Sequence, residues 1–322
     1  MTDLDFVPPD MRAKLQKFDH EAGQIIASFV GTIEASPPPS IIYHYTNDVG
    51  LRGILETGNI WLTDIFNLND PSELSYGFSH VVKILNSKAV DGPPPSKLFA
   101  QQIEALLVQG GIQAAAHYFV SSFSSTGDDL GQWRAYADNG RGYALGFDAK
   151  ELEKAFTKES DVPIPNNCTF PITYDDSKLV ELHMQLVERM FPLLSLPYGR
   201  GLSSEGIREY ISELYVLFAI HALRSVLFFK HEAYKNETEY RFLQIHRADV
   251  PPPEVKLRSR PYSLVKYREF DWRSAAAGAL KEIVIGPAAD REKAFQFAAD
   301  CLRSFHDTVF EPFHSKIPYK AV

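Results

Sequence analysis

Three proline triplets, Pro37-Pro38-Pro39, Pro93-Pro94-Pro95 and Pro251-Pro252-Pro253, cut the chain into four stretches. Proline has no backbone N–H and a fixed φ, so neither a helix nor a paired strand runs through such a run. Each triplet is expected as an extended connector at the surface. The hydrophobic pattern between the triplets then decides the fold class. Residues 10–34 read as a helix and 41–45 as a short β-rich run. Asn47 or Asp48 can cap a helix with Leu51, Ile54 and Leu55 on one stripe, stopped by Gly58. Residues 60–63 read as a strand. Asp70-Pro71-Ser72-Glu73 supplies an N-cap, a proline at the first helical position and an acid at N3, which predicts a helix to about Lys88.

The second half continues in the same mixed way. Residues 97–116 read as a helix and 117–122 as a strand. Asp128 or Asp129 starts a short helix through Trp133 and Tyr136, and Asn139-Gly140 turns the chain into a strand over 142–147. A strand is expected over 169–174, then two helices over 176–194 and 205–230. In the second of these, Ile211, Leu214, Phe218, Ala222, Val226 and Phe229 follow the spacing of a core-facing stripe. Residues 238–245 alternate polar and apolar as a half-buried strand does. A buried strand over 282–286, a helix over 289–304 and a last strand over 308–313 complete the pattern. Strands and helices alternate without a regular βαβ beat, and no glycine-rich dinucleotide or P-loop motif is present. The expected class is α+β: a mixed, largely antiparallel split sheet with surrounding helices. Residues 1–36 form an N-terminal helical arm, and 41–322 a single α+β domain with a helical insertion at about 176–230.

Composition narrows the function classes. With 45% hydrophobic and 23% charged residues the chain is in the ordinary globular range, which excludes disorder as the main state. Cys168 and Cys301 make no disulfide framework or zinc cluster. The start carries no basic-then-apolar leader, and the most apolar stretch, 214–229, is broken by His221, Arg224 and Ser225. A cytoplasmic protein with no membrane partner is expected. The net charge of −8 speaks against general binding along a nucleic-acid backbone, though not against a local basic pocket.

Three clusters carry chemistry. In Tyr43-His44-Tyr45-Thr46, His44 and Thr46 share one strand face and can bond one ligand, for instance a ribose diol; the bland alternative is a satisfied histidine followed by a helix cap. In Ser121-Ser122-Phe123-Ser124-Ser125, Ser122 and Ser124 share a face, and the nearby Gln132-Trp133-Arg134-Ala135-Tyr136 offers a cation and two aromatics suited to a base and a phosphate. Surface amphipathy explains that combination as well. In Lys235-Asn236-Glu237-Thr238-Glu239-Tyr240-Arg241, Glu237, Glu239 and Arg241 alternate onto one face, with Arg241 placed to offset two carboxylates that would otherwise repel. A metal site from His44, Asp70 and Glu73 is disfavoured because the two acids are explained as a helix-capping box, and a serine hydrolase lacks its nucleophile elbow.

These residues, with Phe66-Asn67-Leu68-Asn69-Asp70-Pro71-Ser72-Glu73, resemble the bacterial domain-of-unknown-function family 2971 over about residues 41–320. That family is similar to a distant branch of the His-type ADP-ribosyltransferases, the group of the poly(ADP-ribose) polymerases and DarT-like toxins. The resemblance implies an NAD-dependent transferase that cleaves the nicotinamide–ribose bond and passes ADP-ribose to an acceptor, as a toxin or defence effector, with NAD as substrate and no metal. It implies that His44 and Thr46 hold the adenosine ribose, with Tyr43 a further cofactor-binding residue and His44 also part of the catalytic set. Ser122 or Ser124 would support the nicotinamide pocket, and Tyr76 or Tyr136 would stack on nicotinamide. Glu239 would be the catalytic carboxylate, with Glu237 completing an E-x-E pattern and Trp133, Arg134 and Arg241 at the nucleotide. The acceptor, whether protein, nucleic acid or small molecule, is left open. The other reading is a catalytically silent nucleotide- or nucleic-acid-binding domain using Trp133, Arg134 and Tyr136.

Overall fold

The computed structural model describes residues 4–34, 39–68, 72–108, 116–158, 167–247, 254–306 and 310–320. The strands are β1 (Ile41–Thr46), β2 (Asn59–Asp64), β3 (Ala116–Ser124), β4 (Tyr143–Asp148), β5 (Asn167–Pro171), β6 (Glu239–Arg247), β7 (Lys256–Arg260), β8 (Ser263–Asp271), β9 (Leu280–Ile285) and β10 (Phe313–His314). The helices are α1 (Pro9–Glu34), α2 (Asp48–Thr57), α3 (Ser72–Ala89), α4 (Ser96–Val108), α5 (Leu130–Tyr136), α6 (Ala149–Lys158), α7 (Asp176–Met190), α8 (Ser204–Val226), α9 (Trp272–Ala276) and α10 (Arg291–Phe305).

The strands form one sheet whose spine is the antiparallel ladder of β3 with β6, running from Ala116 opposite Arg247 to Ser124 opposite Glu239. The other edge of β3 is shared. β2 pairs with Phe119 and Val120, and β1 pairs only with Ser124. Among the described residues, Ser121, Ser122 and Phe123 have no ladder partner on that edge, so the sheet splits there into two wings. One wing runs β1–β4–β9–β10 and the other β2–β8–β7, while β5 covers the far edge of β6. Among these ladders only β9 with β10 is parallel. The fold is α+β, with a mixed, mostly antiparallel sheet flanked by helices.

Alternation along the spine sorts the core into two layers. Tyr118 and Val120 of β3 and Leu243 and Ile245 of β6 face the bundle of α1, α3, α4, α7 and α8. Phe119, Phe123 and Phe242 face the opposite layer of α2, α6, α9 and α10. The short α2 follows its sequence signals closely. Asn47 Oδ1 accepts from the Gly50 amide at 2.9 Å; Leu51, Ile54 and Leu55 are buried; and Gly58, at φ 69°, returns its amide to Ile54. α1 packs its Met11, Leu15, Phe18, Ala22 and Ile26 into the bundle core.

Several expected boundaries move. The helix expected over 97–116 ends at Val108 in the described part, and Ala116 already belongs to β3, whose full pairing with β6 overrides local helical propensity. The helix over 176–194 tightens into a 3-10 turn at Phe191–Ser195, because Pro192 cannot donate to the preceding turn. β5 starts at Asn167, and the last strand is confined to Phe313–His314. Asp70, Pro71 and residues 251–253 and 308–309 lie outside the described residues. No described helix is long and apolar enough to cross a membrane.

Candidate functional site

The split in the sheet opens into a cavity of about 230 Å³, lined from both wings and from the bundle. Its floor is the last part of the β3–β6 ladder. The ladder register pairs Ser122 with Arg241 and Ser124 with Glu239, so these four side chains continue the bundle-facing row begun by Tyr118, Val120, Leu243 and Ile245. Where that row changes from apolar to polar, a closed ion network forms. Glu239 Oε1 accepts from Ser122 Oγ at 2.5 Å and from Arg241 at 2.8 Å, and Lys230 Nζ lies 3.2 Å from its Oε2. Arg241 also donates to Glu73 Oε1 at 2.7 Å and to the Leu227 carbonyl at 3.0 Å. Lys230 bonds Glu237 and lies 3.9 Å from Glu73. Three carboxylates converge as they would on a bound cation, and Lys230 and Arg241 fill that place.

Both cations and Glu239 are almost wholly buried, so their charge states are set by one another. Burial raises the pKa of Glu239, but Arg241 and then Lys230 outweigh it and hold the carboxyl down to about 2. Burial opposes the charge on Lys230, yet Glu239, Glu73 and Glu237 keep the ammonium above its ordinary range. Glu239, Lys230 and Arg241 are therefore all charged at neutral pH, in a network of three carboxyl groups and two cations.

The sequence-derived residues divide sharply. Ser122, Glu237, Glu239, Arg241, Tyr43, His44, Ser124 and Tyr136 all line the cavity. Glu237 is not on the strand with its partners: it closes a 3-10 turn, and Thr238, at φ 42°, turns the chain into β6. It still enters the network through Lys230, and its other oxygen accepts from Tyr136 Oη at 3.1 Å. Ser122, rather than Ser124, touches Glu239; the Ser124 hydroxyl donates to the Glu237 carbonyl at 2.9 Å and so ties down the turn.

His44 reaches the cavity through the gap. The pairing of Tyr43 with Ser124 puts Tyr43 and Tyr45 on the bundle-facing side and His44 with Ile42 on the other. Its Nδ1 lies 3.4 Å from the Ser122 carbonyl, and its ring meets Phe123 edge-on at 5.7 Å. Burial lowers its pKa, which leaves it neutral. Tyr43 Oη is engaged away from the network, donating to Glu282 at 2.6 Å.

Four expected site residues are not in this lining. Thr46 lies with its hydroxyl against Gly50 at the start of α2. Trp133 is completely buried, its indole N–H on Asp128 at 2.7 Å and its ring edge-on to Tyr45, so it is a core residue. The Asp129 cap fixes α5 in the orientation that turns Trp133 inward and leaves Arg134 exposed to solvent. Tyr76 bonds Asp176 and lies between His80 and His231, in an adjoining cavity that shares only Glu73, Lys230 and Tyr234 with the first. Of the two tyrosines considered for a stacked ring, only Tyr136 is on the cavity.

Sequence reasoning missed Lys230, Glu73, Gln132, Trp61 and Tyr234 as site residues. Lys230 had a signal: it closes the apolar run Leu227-Phe228-Phe229 just ahead of Glu237 and Glu239. A short parallel bridge of Thr173 with Phe229 holds that run at the ladder. Glu73, read as a capping acid, instead turns into the network from α3.

Residues 132–242 match the family model DUF2971, a protein of unknown function. The match runs from Gln132 on α5 to Phe242 on β6 and so contains Tyr136, Lys230, Glu237, Glu239 and Arg241. No curated protein and no solved structure matches the chain.

Proposed function

We propose that the protein cleaves the nicotinamide–ribose bond of NAD and transfers ADP-ribose to an acceptor, with Glu239 as the charge-stabilising carboxylate. One observation carries this reading: an ionised, buried glutamate held rigidly by Ser122 and Arg241 at the floor of a cavity, where the sheet splits and His44 enters from the opposite wing. As the bond breaks, nicotinamide leaves as a neutral ring and positive character builds on the ribose. A fixed carboxylate stabilises that charge without reorganising. The acceptor nucleophile then bonds to the ribose carbon and releases its proton to solvent water. Neutral His44 offers a ring nitrogen to a ribose hydroxyl, and Tyr136, Tyr234 and the Gln132 amide frame the space for the leaving ring.

Calorimetric titration with NAD tests the binding step. Saturable binding is expected for the wild type, and at least tenfold weaker binding for His44→Ala. Absence of any heat up to millimolar NAD would overturn the reading. One feature favours the second reading, a silent binding module: both oxygens of Glu239 already face donors, Ser122 and Arg241 on one and Lys230 on the other. An enzyme needs the carboxylate, whereas a binding module should tolerate Glu239→Gln.

A further inference from the structure

The wing β2–β8–β7 extends the bundle-facing surface of the sheet away from the cavity toward β7, the terminal strand of the sheet path among the described residues. The register places Trp61 opposite Glu269, Thr63 opposite Tyr267 and Lys256 opposite Tyr267, while Arg258 and Arg260 follow on β7 at period two. Trp61, Thr63, Glu269, Tyr267, Lys256, Arg258 and Arg260 therefore share one face, on which Lys256 is paired with Glu269 at 2.6 Å and the two arginines are the remaining cations. Trp61 is 44% exposed and also lines the cavity. Its ring packs on Tyr267 at 4.5 Å, and the Arg258 guanidinium lies 5.5 Å from its centre. The tryptophan is thus held by the Tyr267 ring and by the guanidinium over its own ring, while nearly half of its surface stays exposed.

Among the described residues both arginines are held by neutral oxygens. Arg258 donates to Thr63 Oγ1 at 3.4 Å and Arg260 to the Asn67 carbonyl at 2.8 Å. Among the described residues neither has a carboxylate partner, and the Arg258 Nε is buried without a hydrogen bond. Burial and the adjacent Arg260 both lower the pKa of Arg258, as expected for two like charges held together. Residues 256–271 carry Lys256, Arg258, Arg260, Lys266 and Arg268 against Glu269 and Asp271, the reverse of the chain's net charge of −8. At the tip Tyr262 is wholly exposed. It stands five residues past the Thr63–Tyr267 rung, or about 17 Å at strand spacing.

From this we infer that the Trp61, Arg258 and Arg260 face binds single-stranded nucleic acid, with a base stacked on Trp61 and successive phosphates on the two arginines. A partly exposed aromatic beside guanidiniums that have no carboxylate partner among the described residues is a combination that stacks unpaired bases and tracks a phosphate backbone. A single strand is favoured over a duplex because the base face must be free to stack. It is favoured over a small nucleotide because the cations and Tyr262 continue well beyond the cavity. The inference does not rest on NAD cleavage.

Fluorescence anisotropy with a labelled oligothymidylate tests it, with a duplex of the same strand and free NAD as competitors. The single strand is expected to bind, with a salt slope steeper by about 1.4 in the wild type than in Arg258→Ala/Arg260→Ala, as two phosphate contacts require. Trp61→Ala is expected to weaken binding roughly ten- to hundredfold and Trp61→Phe much less. Circular dichroism establishes that the variants are folded. Absence of binding, equal binding by the double arginine variant, or preference for the duplex would each overturn the proposal. Competition by NAD at low concentration would assign the platform to a dinucleotide instead.

Discussion

The two ends of the β3–β6 ladder lie under the same helical bundle, on the same face of the same two strands, and are built for opposite purposes. At one end Tyr118, Val120, Leu243 and Ile245 pack into the bundle core. At the other, two rungs on, Ser122, Ser124, Arg241 and Glu239 occupy the equivalent positions, with Lys230 and Glu73 above them. The apolar end stabilises by burial, at roughly 1.5–3 kcal/mol per large side chain. A buried ion network of this kind contributes little net stability, because desolvation offsets most of the attraction between the charges. Apolar residues of similar volume would hold the fold as well. What the polar end adds is an ionised carboxylate fixed beside an opening in the sheet.

The largest expected effect breaks the network asymmetrically. Arg241→Met leaves three carboxylates facing Lys230 alone and is expected to cost about 3–5 kcal/mol in urea unfolding. Glu239→Gln leaves two acids with two cations and should cost distinctly less. Equal losses for the two would mean that charge balance does not organise this end. Leu243→Ala, at the apolar end, is expected to cost about 2–5 kcal/mol through its cavity while leaving ligand affinity unchanged.

Acid sharpens the same contrast. Glu239 is held down to about 2 in the folded protein, against an ordinary value of about 4.3, so the unfolded chain binds the extra proton between those limits. Its contribution is fully present above about pH 4.3 and is lost as pH falls toward about 2. Glu239→Gln should flatten that part of the stability profile, whereas Leu243→Ala should lower the profile at every pH alike. Two histidines act earlier. Burial lowers His183 to about 3, and partial burial with the Arg268 charge lowers His246 to about 4, so both subtract stability as pH drops below about 6.5. A stability profile for Glu239→Gln that parallels the wild type between about pH 4.3 and 2 would contradict the placement of its charge.

The smallest effect on ligand binding concerns α5. Trp133→Phe is expected to cost about 1–3 kcal/mol through the cavity left by the smaller ring and loss of the Asp128 bond, with no change in ligand binding. A clear loss of affinity would return Trp133 to the site.

How much of this was readable in the chain follows from how local each feature is. The α2 caps, the alternation that puts Glu239 with Arg241, and the period that puts Ser122 with Ser124 are properties of a few consecutive residues, and the structure keeps them. The split has no local signature, since it arises from β1 and β2 sharing one edge of a strand more than fifty residues later in sequence. Glu73 and Trp61 enter the site only through that topology. Trp133 misled because an aromatic beside an arginine within one helical turn reads the same exposed or buried; the Asp129 cap and the Tyr45 ring decide which. The α6 helix and the β7–β8 hairpin went unread, although Leu152, Ala155 and Phe156 carry the helical stripe.

Nicotinamide release is the most direct measurement of the central claim, made at saturating NAD for the wild type and for Glu239→Gln, with NAD affinity measured on both. Release that falls about 100- to 1,000-fold in the variant while affinity is retained is the expected result. Undiminished release by Glu239→Gln, or none by the folded wild type, would contradict it.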